Sequence, residues 1–235
     1  MIRTVYYAVF LFFIFIFSLI SLIPFFVLRY FTGDKKWENF LQADLSFWAG
    51  LSLWGTGSTF EVKGLENLPQ GNVVFIANHQ GNFDILIVAC FFKKLVGFIA
   101  KKELRHIPIL NTWLTLTHGI YIDRKNLRDS YNTIKKGIKS LKDGNSLIIF
   151  PEGHRSKGPI PGNFKIGSFK LAINSDTRIV PVTIKNSYKI YEETGFIRPA
   201  HVIITVHPVI KTGELSEAEK RNLPQRVANI IKEAL

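Results

Sequence analysis

The chain has 235 residues, of which 47% are hydrophobic and 20 are phenylalanine. Its 30 Lys and Arg residues against 18 Asp and Glu residues give a net charge of +12, which favours anionic partners such as nucleic acid or lipid headgroups. The single cysteine, Cys90, excludes an intramolecular disulfide framework and a multi-cysteine metal site. The length suits one globular domain with an attached segment.

The N-terminal segment from Thr4 to Leu28 contains no charged residue. This run exceeds the roughly 20 apolar residues that cross a bilayer. A cleaved secretory signal, by contrast, has an apolar region of about 7–15 residues and a small-residue cleavage site. We expect Pro24 to kink or stop the helix. Arg29, Lys35 and Lys36 follow the run, and this basic excess predicts that the rest of the chain lies on the cytoplasmic side.

A second stretch, from Phe40 to Trp54, has apolar residues at helical spacing, and tryptophans at 37, 48 and 54 suit a bilayer interface. It is short and contains Asp44, so a second full span is not predicted. A helix lying in one leaflet and a helix packed on the following domain both remain open. We assign residues 1–57 to membrane-anchoring helices, as a single span or a two-helix motif, and residues 58–235 to a separate domain.

From Thr59 onward, short runs rich in β-branched and aromatic residues alternate with stretches at helical spacing. The predicted strands are Phe60–Lys63, Val73–Ala77, Leu95–Ala100, Gly119–Ile122, Ser146–Phe150, Arg178–Ile184 and Val202–His207. The predicted helices are Ile85–Phe92, Leu104–Leu116, Leu127–Leu141, Gly167–Ile173 and Glu217–Ala234, the last with a capping box at Ser216 and Glu219. This alternation predicts an α/β fold with a mixed, largely parallel sheet flanked by helices.

The segment Asn78–Asp84 directly follows a predicted buried strand, where open α/β sheets place their sites. His79 and Asp84 are five residues apart, and on a straight helix they would point about 140° away from each other. They can meet only across a turn, and Gly81-Asn82 is turn-prone. A carboxylate bonded to one imidazole nitrogen leaves the other nitrogen free as a base. From the residues alone, a surface histidine beside a helix-capping aspartate remains the alternative.

Charged residues also follow three other predicted strands. Arg155 is suited to a phosphate because its guanidinium offers two parallel hydrogen bonds. The other charged residues at strand ends are Glu152, Lys101, Lys102, Asp123 and Arg124. Together these positions predict a basic pocket for a phosphate next to a histidine–aspartate pair that activates a hydroxyl, although each segment alone could be an ordinary charged loop.

The order of these segments closely resembles the glycerolipid acyltransferase family, and within it the 1-acylglycerol-3-phosphate acyltransferases. The resemblance runs from about Gly64 to Pro208. It rests on N-H-x-x-x-x-D at Asn78, His79 and Asp84, G-x-x-x-x-R at Gly119 and Arg124, F-P-E-G-x-R-S at Phe150–Gly153, Arg155 and Ser156, and V-P-V at Val180–Val182. Gly81 stands where many members have Ser, and His154 stands where Thr is common.

The resemblance implies an acyltransferase catalytic domain over residues 58–235. It implies that His79, oriented by Asp84, is the general base that activates the sn-2 hydroxyl of 1-acylglycerol 3-phosphate for attack on an acyl thioester. The phosphate end of the acceptor would be organised by Lys101, Arg124, Glu152, Gly153 and Arg155, with Glu152 orienting a cation or a hydroxyl. The donor would be an acyl thioester of coenzyme A or of acyl carrier protein, with no cofactor or metal.

The residues leave several alternatives open. The same chemistry could act on another lysophospholipid or on glycerol 3-phosphate. A thioesterase or a non-catalytic lipid-binding protein would keep the same segments, whereas a nucleic-acid-binding role leaves the apolar N-terminus without a purpose. We therefore expect membrane lipids as partners, no nucleic acid, and a location on the cell inner membrane or another membrane that faces the cytoplasm, with the catalytic domain on the cytoplasmic side.

Overall fold

A computed structural model of the chain describes residues 1–32, 36–123 and 127–235. Two residues of the sequence analysis, Lys35 and Arg124, lie outside the described residues.

The domain is built around one seven-stranded sheet, and the predicted mixed, largely parallel architecture is confirmed. Its strands are β1 (Thr59–Lys63), β2 (Val74–Ala77), β3 (Val96–Lys101), β4 (Ile120–Ile122), β5 (Ser146–Ile149), β6 (Ile179–Lys185) and β7 (His201–Val206). Every strand begins and ends within one residue of its prediction. All four residues of β2 and of β5 are buried, which explains why these strands read as unbroken apolar runs.

The strand order is β1-β7-β6-β2-β5-β3-β4. Strands β6, β2, β5, β3 and β4 are mutually parallel, while β7 runs antiparallel to β6 and pairs in parallel with β1. The carboxyl ends of five adjacent strands therefore meet at one edge of the sheet. The segments that follow β2, β5 and β6 lie side by side there, because β2 is the central strand of those three.

Helices cover both faces of this sheet. They are α1 (Ile2–Ile20), α2 (Leu22–Thr32), α3 (Lys36–Gly55), α4 (Asp84–Phe91), α5 (Pro108–Leu116), α6 (Leu127–Lys142), α7 (Lys170–Ser175) and α8 (Glu217–Glu233). Residues of α1, α3 and α4 join the core on one face, whereas α6, α7 and α8 pack on the other.

The predicted helix Leu104–Leu116 is wrong at its start. Lys102–His106 form a 3-10 turn, and α5 begins only at Pro108. Ile107 between them is extended, with φ −96° and ψ 104°, because the ring of a proline disfavours the helical conformation in the residue before it. The capping box predicted for the last helix is present in α8, where the Ser216 side chain accepts from the backbone N–H of Glu219.

The apolar N-terminus forms two helices that are interrupted at Ser21 rather than at Pro24. The displacement has a simple cause: Pro24 has no N–H to donate to the carbonyl of Ile20, so the helical ladder fails one turn before the proline. In the part of the chain that the structure describes, the stretch Ile2–Val27 is long and apolar enough to cross a membrane, with a mean hydropathy of 2.8. Many of its large side chains face outward, such as Phe12, which is 60% exposed.

The third helix, α3, runs antiparallel to α1, because the hydroxyl of Tyr7 near the start of α1 donates to the carbonyl of Ser52 and that of Ser21 after its end donates to Asp44. It also packs on α2 and α4. Its Ser46 hydroxyl donates to the carbonyl of Ala89 on α4 at 2.9 Å, so this helix is packed on the domain. Its Phe47 and Trp54 side chains are nevertheless exposed. The helix therefore presents apolar surface outward while its other face is buried.

Helix α1 is also attached directly to the domain at both of its ends. Near its start, the Thr4 hydroxyl accepts from the backbone N–H of Ile197 at 3.0 Å. Near its end, the Ser18 hydroxyl accepts from the indole N–H of Trp113 on α5 at 3.2 Å. These contacts join the apolar helix to two separate parts of the sheet domain.

Candidate active site

The predicted turn between His79 and Asp84 is present. The chain leaves β2 at Ala77, turns through Gly81, and starts α4 with Asp84 as its first residue. The backbone N–H of Asp84 donates to the carbonyl of Gly81 at 3.3 Å. This turn brings Nδ1 of His79 to 2.7 Å from Oδ2 of Asp84.

The carboxylate of Asp84 is fully buried and accepts several hydrogen bonds. Oδ2 accepts from His79 and from the backbone N–H groups of Gln80 at 2.7 Å and Gly81 at 2.9 Å. Oδ1 accepts from the hydroxyl of Ser187. Since a carboxylate can only accept, Nδ1 of His79 carries a proton and Nε2 is left with a lone pair in the neutral ring. This is the tautomer that a general base requires.

The imidazole of His79 is also held from its face. The ring of Phe150, the first residue after β5, stacks on it with centroids 4.1 Å apart. The His79 side chain is 15% exposed, so the ring is fixed by its neighbours yet reachable from outside. One face of the ring and one of its nitrogens are thus committed to the protein.

Glu152 links the two loops of the site, which are the histidine loop after β2 (residues 78–83) and a second loop after β5 (residues 150–165). Its side chain is almost fully buried, and its two oxygens accept from the backbone N–H groups of His79 and Gly162, both at 2.7 Å. Burial raises the pKa of the Glu152 carboxyl, and these two N–H groups oppose the shift. We expected Glu152 to orient a cation or a substrate hydroxyl; in the structure both of its oxygens bind backbone groups that shape the site.

Backbone pairing joins the same two loops. The N–H of Ser156 donates to the carbonyl of His79 at 2.7 Å, and the N–H of Lys157 donates to the carbonyl of Gln80 at 3.2 Å. Gly153 allows the second loop to turn back, with a φ of +76° that side-chain-bearing residues rarely adopt. A Cβ at this position would stand 2.8 Å from Nζ of Lys165, so the absence of a side chain at Gly153 leaves room for that ammonium beside the loop.

Arg155 lies beside the histidine loop. Its Nη1 donates to the side-chain oxygen of Asn82 and to Oε1 of Glu192, the latter at 3.1 Å. The Arg155 side chain is 34% exposed and that of Glu192 only 3%. The guanidinium is therefore held on one side and open to solvent on another.

The remaining predicted cations follow other strands in the sequence. Lys101 ends β3 and is exposed, two strands away from β2. Arg124 follows β4, three strands away from β2, and lies outside the described residues. His79, Glu152, Gly153 and Arg155 are thus grouped around the ends of two neighbouring strands.

Sequence reasoning missed two residues of this group, Ser187 and Glu192. Both follow β6, the other neighbour of β2. Ser187 begins a 3-10 turn, where its hydroxyl reaches Asp84 and its N–H donates to Oε1 of Gln80 at 3.2 Å. The sequence did offer one signal for both residues. They follow the strand that contains the V-P-V motif, and a strand parallel to β2 ends at the same edge of the sheet as β2.

A family model described as Acyltransferase matches residues 59–185, which include the strands β1–β6 and both loops of the site. This match covers more than half of the chain. The chain therefore belongs to the acyltransferase family.

The relatives narrow this assignment. A 1-acyl-sn-glycerol-3-phosphate acyltransferase from Borreliella burgdorferi is 36% identical over 79% of this chain and 75% of its own length. A chloroplastic protein of the same description from Arabidopsis thaliana is 30% identical over 79% of this chain and 52% of its own length. The chain thus spans three quarters of the first relative and about half of the second.

A solved structure is similar over almost the whole chain. The crystal structure of the 1-acyl-sn-glycerophosphate (LPA) acyltransferase PlsC from Thermotoga maritima superposes with a TM-score of 0.87 and 25% sequence identity. The alignment covers 99% of this chain and 93% of that one. The likeness therefore includes the N-terminal helices as well as the sheet.

Proposed function

We propose that this enzyme transfers an acyl group from an acyl thioester to the free sn-2 hydroxyl of 1-acylglycerol 3-phosphate, giving phosphatidic acid. The observation that carries the proposal is the hydrogen bond between His79 Nδ1 and Asp84 Oδ2 at the carboxyl edge of the sheet, beside Arg155. The names of the relatives support the acceptor, since each is described as a 1-acyl-sn-glycerol-3-phosphate acyltransferase.

In this mechanism Nε2 of His79 removes the proton of the sn-2 hydroxyl. The oxygen attacks the thioester carbonyl carbon, and the resulting tetrahedral intermediate collapses with cleavage of the carbon–sulfur bond. The proton held on Nε2 passes to the departing thiolate, which leaves as the free thiol of coenzyme A or acyl carrier protein. Asp84 stabilises the imidazolium that exists between the two proton transfers.

The phosphate of the acceptor is bound by cations at the same edge. Arg155 is joined to the loop that carries His79 through a hydrogen bond to Asn82. Lys101, Arg124 and Gly153 complete the acceptor site that we propose. Glu152 supports it by fixing the backbone of His79.

We further propose that α1 and α2 hold the enzyme on a membrane that faces the cytoplasm, such as a bacterial inner membrane, with the sheet domain on the cytoplasmic side. The exposed apolar surface of Ile2–Val27 supports membrane association, because such surface is costly in water. Both the acceptor and the acyl chain of the donor are amphipathic, so a site held at headgroup height receives them without full transfer into water.

The test is a panel of acceptors with purified enzyme and labelled acyl-coenzyme A or acyl carrier protein. We expect transfer to 1-acylglycerol 3-phosphate, with less to glycerol 3-phosphate and to a lysophospholipid with a choline headgroup. Thioester cleavage that proceeds equally well without any acceptor would instead indicate a thioesterase. A preference for another acceptor would overturn the substrate assignment alone.

The same assay on His79→Ala tests the mechanism. We expect kcat to fall by at least about 100-fold, the lower range for loss of a general base. His154→Ala is the matched control, because His154 is an exposed histidine on the second loop and has no part in the proton transfers. Full activity of a folded His79→Ala protein would defeat the mechanism for every acceptor.

A further inference from the structure

Glu192 is a buried acidic residue beside the site that the proposed reaction does not use. It follows β6 and the 3-10 turn Ser187–Ile190, and it lies beyond the residues 59–185 that the family model matches. Its side chain is only 3% exposed. Because burial of a carboxylate is costly unless its charge is compensated, its surroundings require an explanation.

The two oxygens of Glu192 have very different surroundings. Oε1 accepts from the backbone N–H of Asn82 at 2.7 Å and from Nη1 of Arg155 at 3.1 Å. Oε2 is buried and has no hydrogen-bond partner among the described residues. A single oxygen of Glu192 thus binds both the backbone of the histidine loop and the guanidinium of Arg155.

The unpartnered oxygen lies against Gly81. A Cβ built on Gly81 would stand 2.4 Å from Oε2 and 2.9 Å from Cδ of Glu192. No side chain fits at this position while Glu192 keeps its place, since real Cβ atoms do not approach so closely. This explains the glycine at position 81, where many members of the family have serine.

We propose that Glu192 is a positioning residue that holds Arg155 and the Asn82 backbone in the arrangement that binds the acceptor's phosphate, and that Gly81 is the space it requires. This rests on the proposed function for the role of Arg155. The guanidinium has five N–H donors, and those on Nε and Nη2 are not used by Asn82 or Glu192 in the contacts above. Anchoring one nitrogen therefore pre-organises the others for an oxyanion.

The first experiment is Glu192→Gln, assayed with acyl-coenzyme A and increasing 1-acylglycerol 3-phosphate in micelles of fixed composition. The amide keeps the shape and loses the charge, so we expect the KM for this acceptor to rise about tenfold, the change typical of one weakened charge-assisted hydrogen bond. The KM for the thioester and kcat should stay within about twofold. Glu193→Gln is the matched control, because Glu193 is the exposed neighbour.

A phosphate-free acceptor, 1-acylglycerol, separates positioning from general damage. Glu192→Gln should lower kcat/KM for the phosphate-bearing acceptor much more than for 1-acylglycerol. An equal loss for both acceptors would show a purely structural role and overturn the proposal. A lower KM for 1-acylglycerol 3-phosphate would also overturn it, because Glu192 would then compete with the phosphate for Arg155.

The second experiment is a double-mutant cycle of Gly81→Ser and Glu192→Ala, followed by both activity and thermal unfolding. We expect Gly81→Ser to lower the unfolding temperature in the wild-type background and to have little effect when Glu192 is already alanine. Equal effects in the two backgrounds would refute the steric link. The unfolding measurement requires no substrate, so it tests the steric contact between Gly81 and Glu192 independently of activity. If the wild type does not use 1-acylglycerol 3-phosphate, the proposed function fails while this contact can still be confirmed or refuted.

Discussion

The imidazole ring of His79 and the phenyl ring of Phe150 lie nearly parallel, with 20° between their planes and 4.1 Å between their centroids. They come from the ends of two adjacent strands, β2 and β5, and so their contact depends on the register of that strand pair. The stacking contact and the hydrogen bond to Asp84 act at different places on the ring. Together they restrict both its tilt and its rotation.

We expect Phe150→Leu to lower kcat by about 2- to 12-fold, which corresponds to the roughly 0.5–1.5 kcal/mol of a stacked aromatic pair. Leucine fills much of the volume of the phenyl ring but has no flat face on which the imidazole of His79 can stack. Initial rates at saturating substrates measure this effect. Phe60→Leu is the control, because Phe60 pairs with Phe91 on another part of the domain; a similar loss of kcat there would contradict a local effect on His79.

Ser187→Ala removes the hydroxyl that donates to Oδ1 of Asp84. This hydroxyl is buried, so its loss leaves a buried carboxylate oxygen short of a donor, at a cost of about 1–3 kcal/mol. We expect a lower free energy of unfolding by that amount in urea titrations, together with a several-fold lower kcat. Ser175→Ala, which removes a hydroxyl bonded to the carbonyl of Leu171 within α7, should leave kcat unchanged.

Glu152→Gln places an amide NH₂ against the N–H of either His79 or Gly162, because both carboxylate oxygens are used as acceptors. We expect a loss of about 1–3 kcal/mol in the free energy of unfolding and a marked fall in kcat, since the backbone of His79 is displaced. Thermal unfolding and steady-state rates test the two effects. An unchanged kcat with lowered stability would show that the backbone contact does not support the reaction.

His207 provides a test of pH dependence away from the site. Its Nε2 lies 2.9 Å from Oγ1 of Thr183, and burial lowers the pKa of the imidazole from its ordinary value near 6.5. As pH falls through about 6.5, the unfolded chain binds a proton that the folded chain does not yet bind. The free energy of unfolding therefore decreases as the pH falls through this range.

We expect His207→Gln to reduce this loss of stability between about pH 7 and pH 5, while the glutamine amide can still donate to Thr183. Thermal unfolding across that range gives the comparison. His106→Gln, at an exposed histidine, should leave the pH profile of the wild type intact. A wild-type profile for His207→Gln would show that this residue does not contribute.

The sequence predicts the sheet well because its strands are short apolar runs with clear ends. The buried residues of β2 and β5 fit no amphipathic helix, and the segments after them carry the motif residues to one edge. The pairing of His79 with Asp84 was also predictable, since a turn at Gly81 was the one way for the two to meet.

The contacts of Ser187 and Glu192 could not be predicted in the same way. Their side chains leave an irregular turn, where no periodicity fixes their direction, and each meets a residue more than 100 positions away. Glu152 shows the opposite limit: its motif was recognised, but whether a carboxylate binds a cation or two backbone N–H groups depends on how the loops fold together.

The attachment of α1 at Thr4 and Ser18 has a mechanical consequence. A helix fastened at both ends to the sheet domain cannot act as a flexible tether, so the domain has no freedom to swing around it. Ile197, which holds Thr4, lies five residues beyond Glu192 on the same strand-to-strand connection. On the membrane that we propose, the height and tilt of the active site are therefore set by the packing of α1 on the sheet domain.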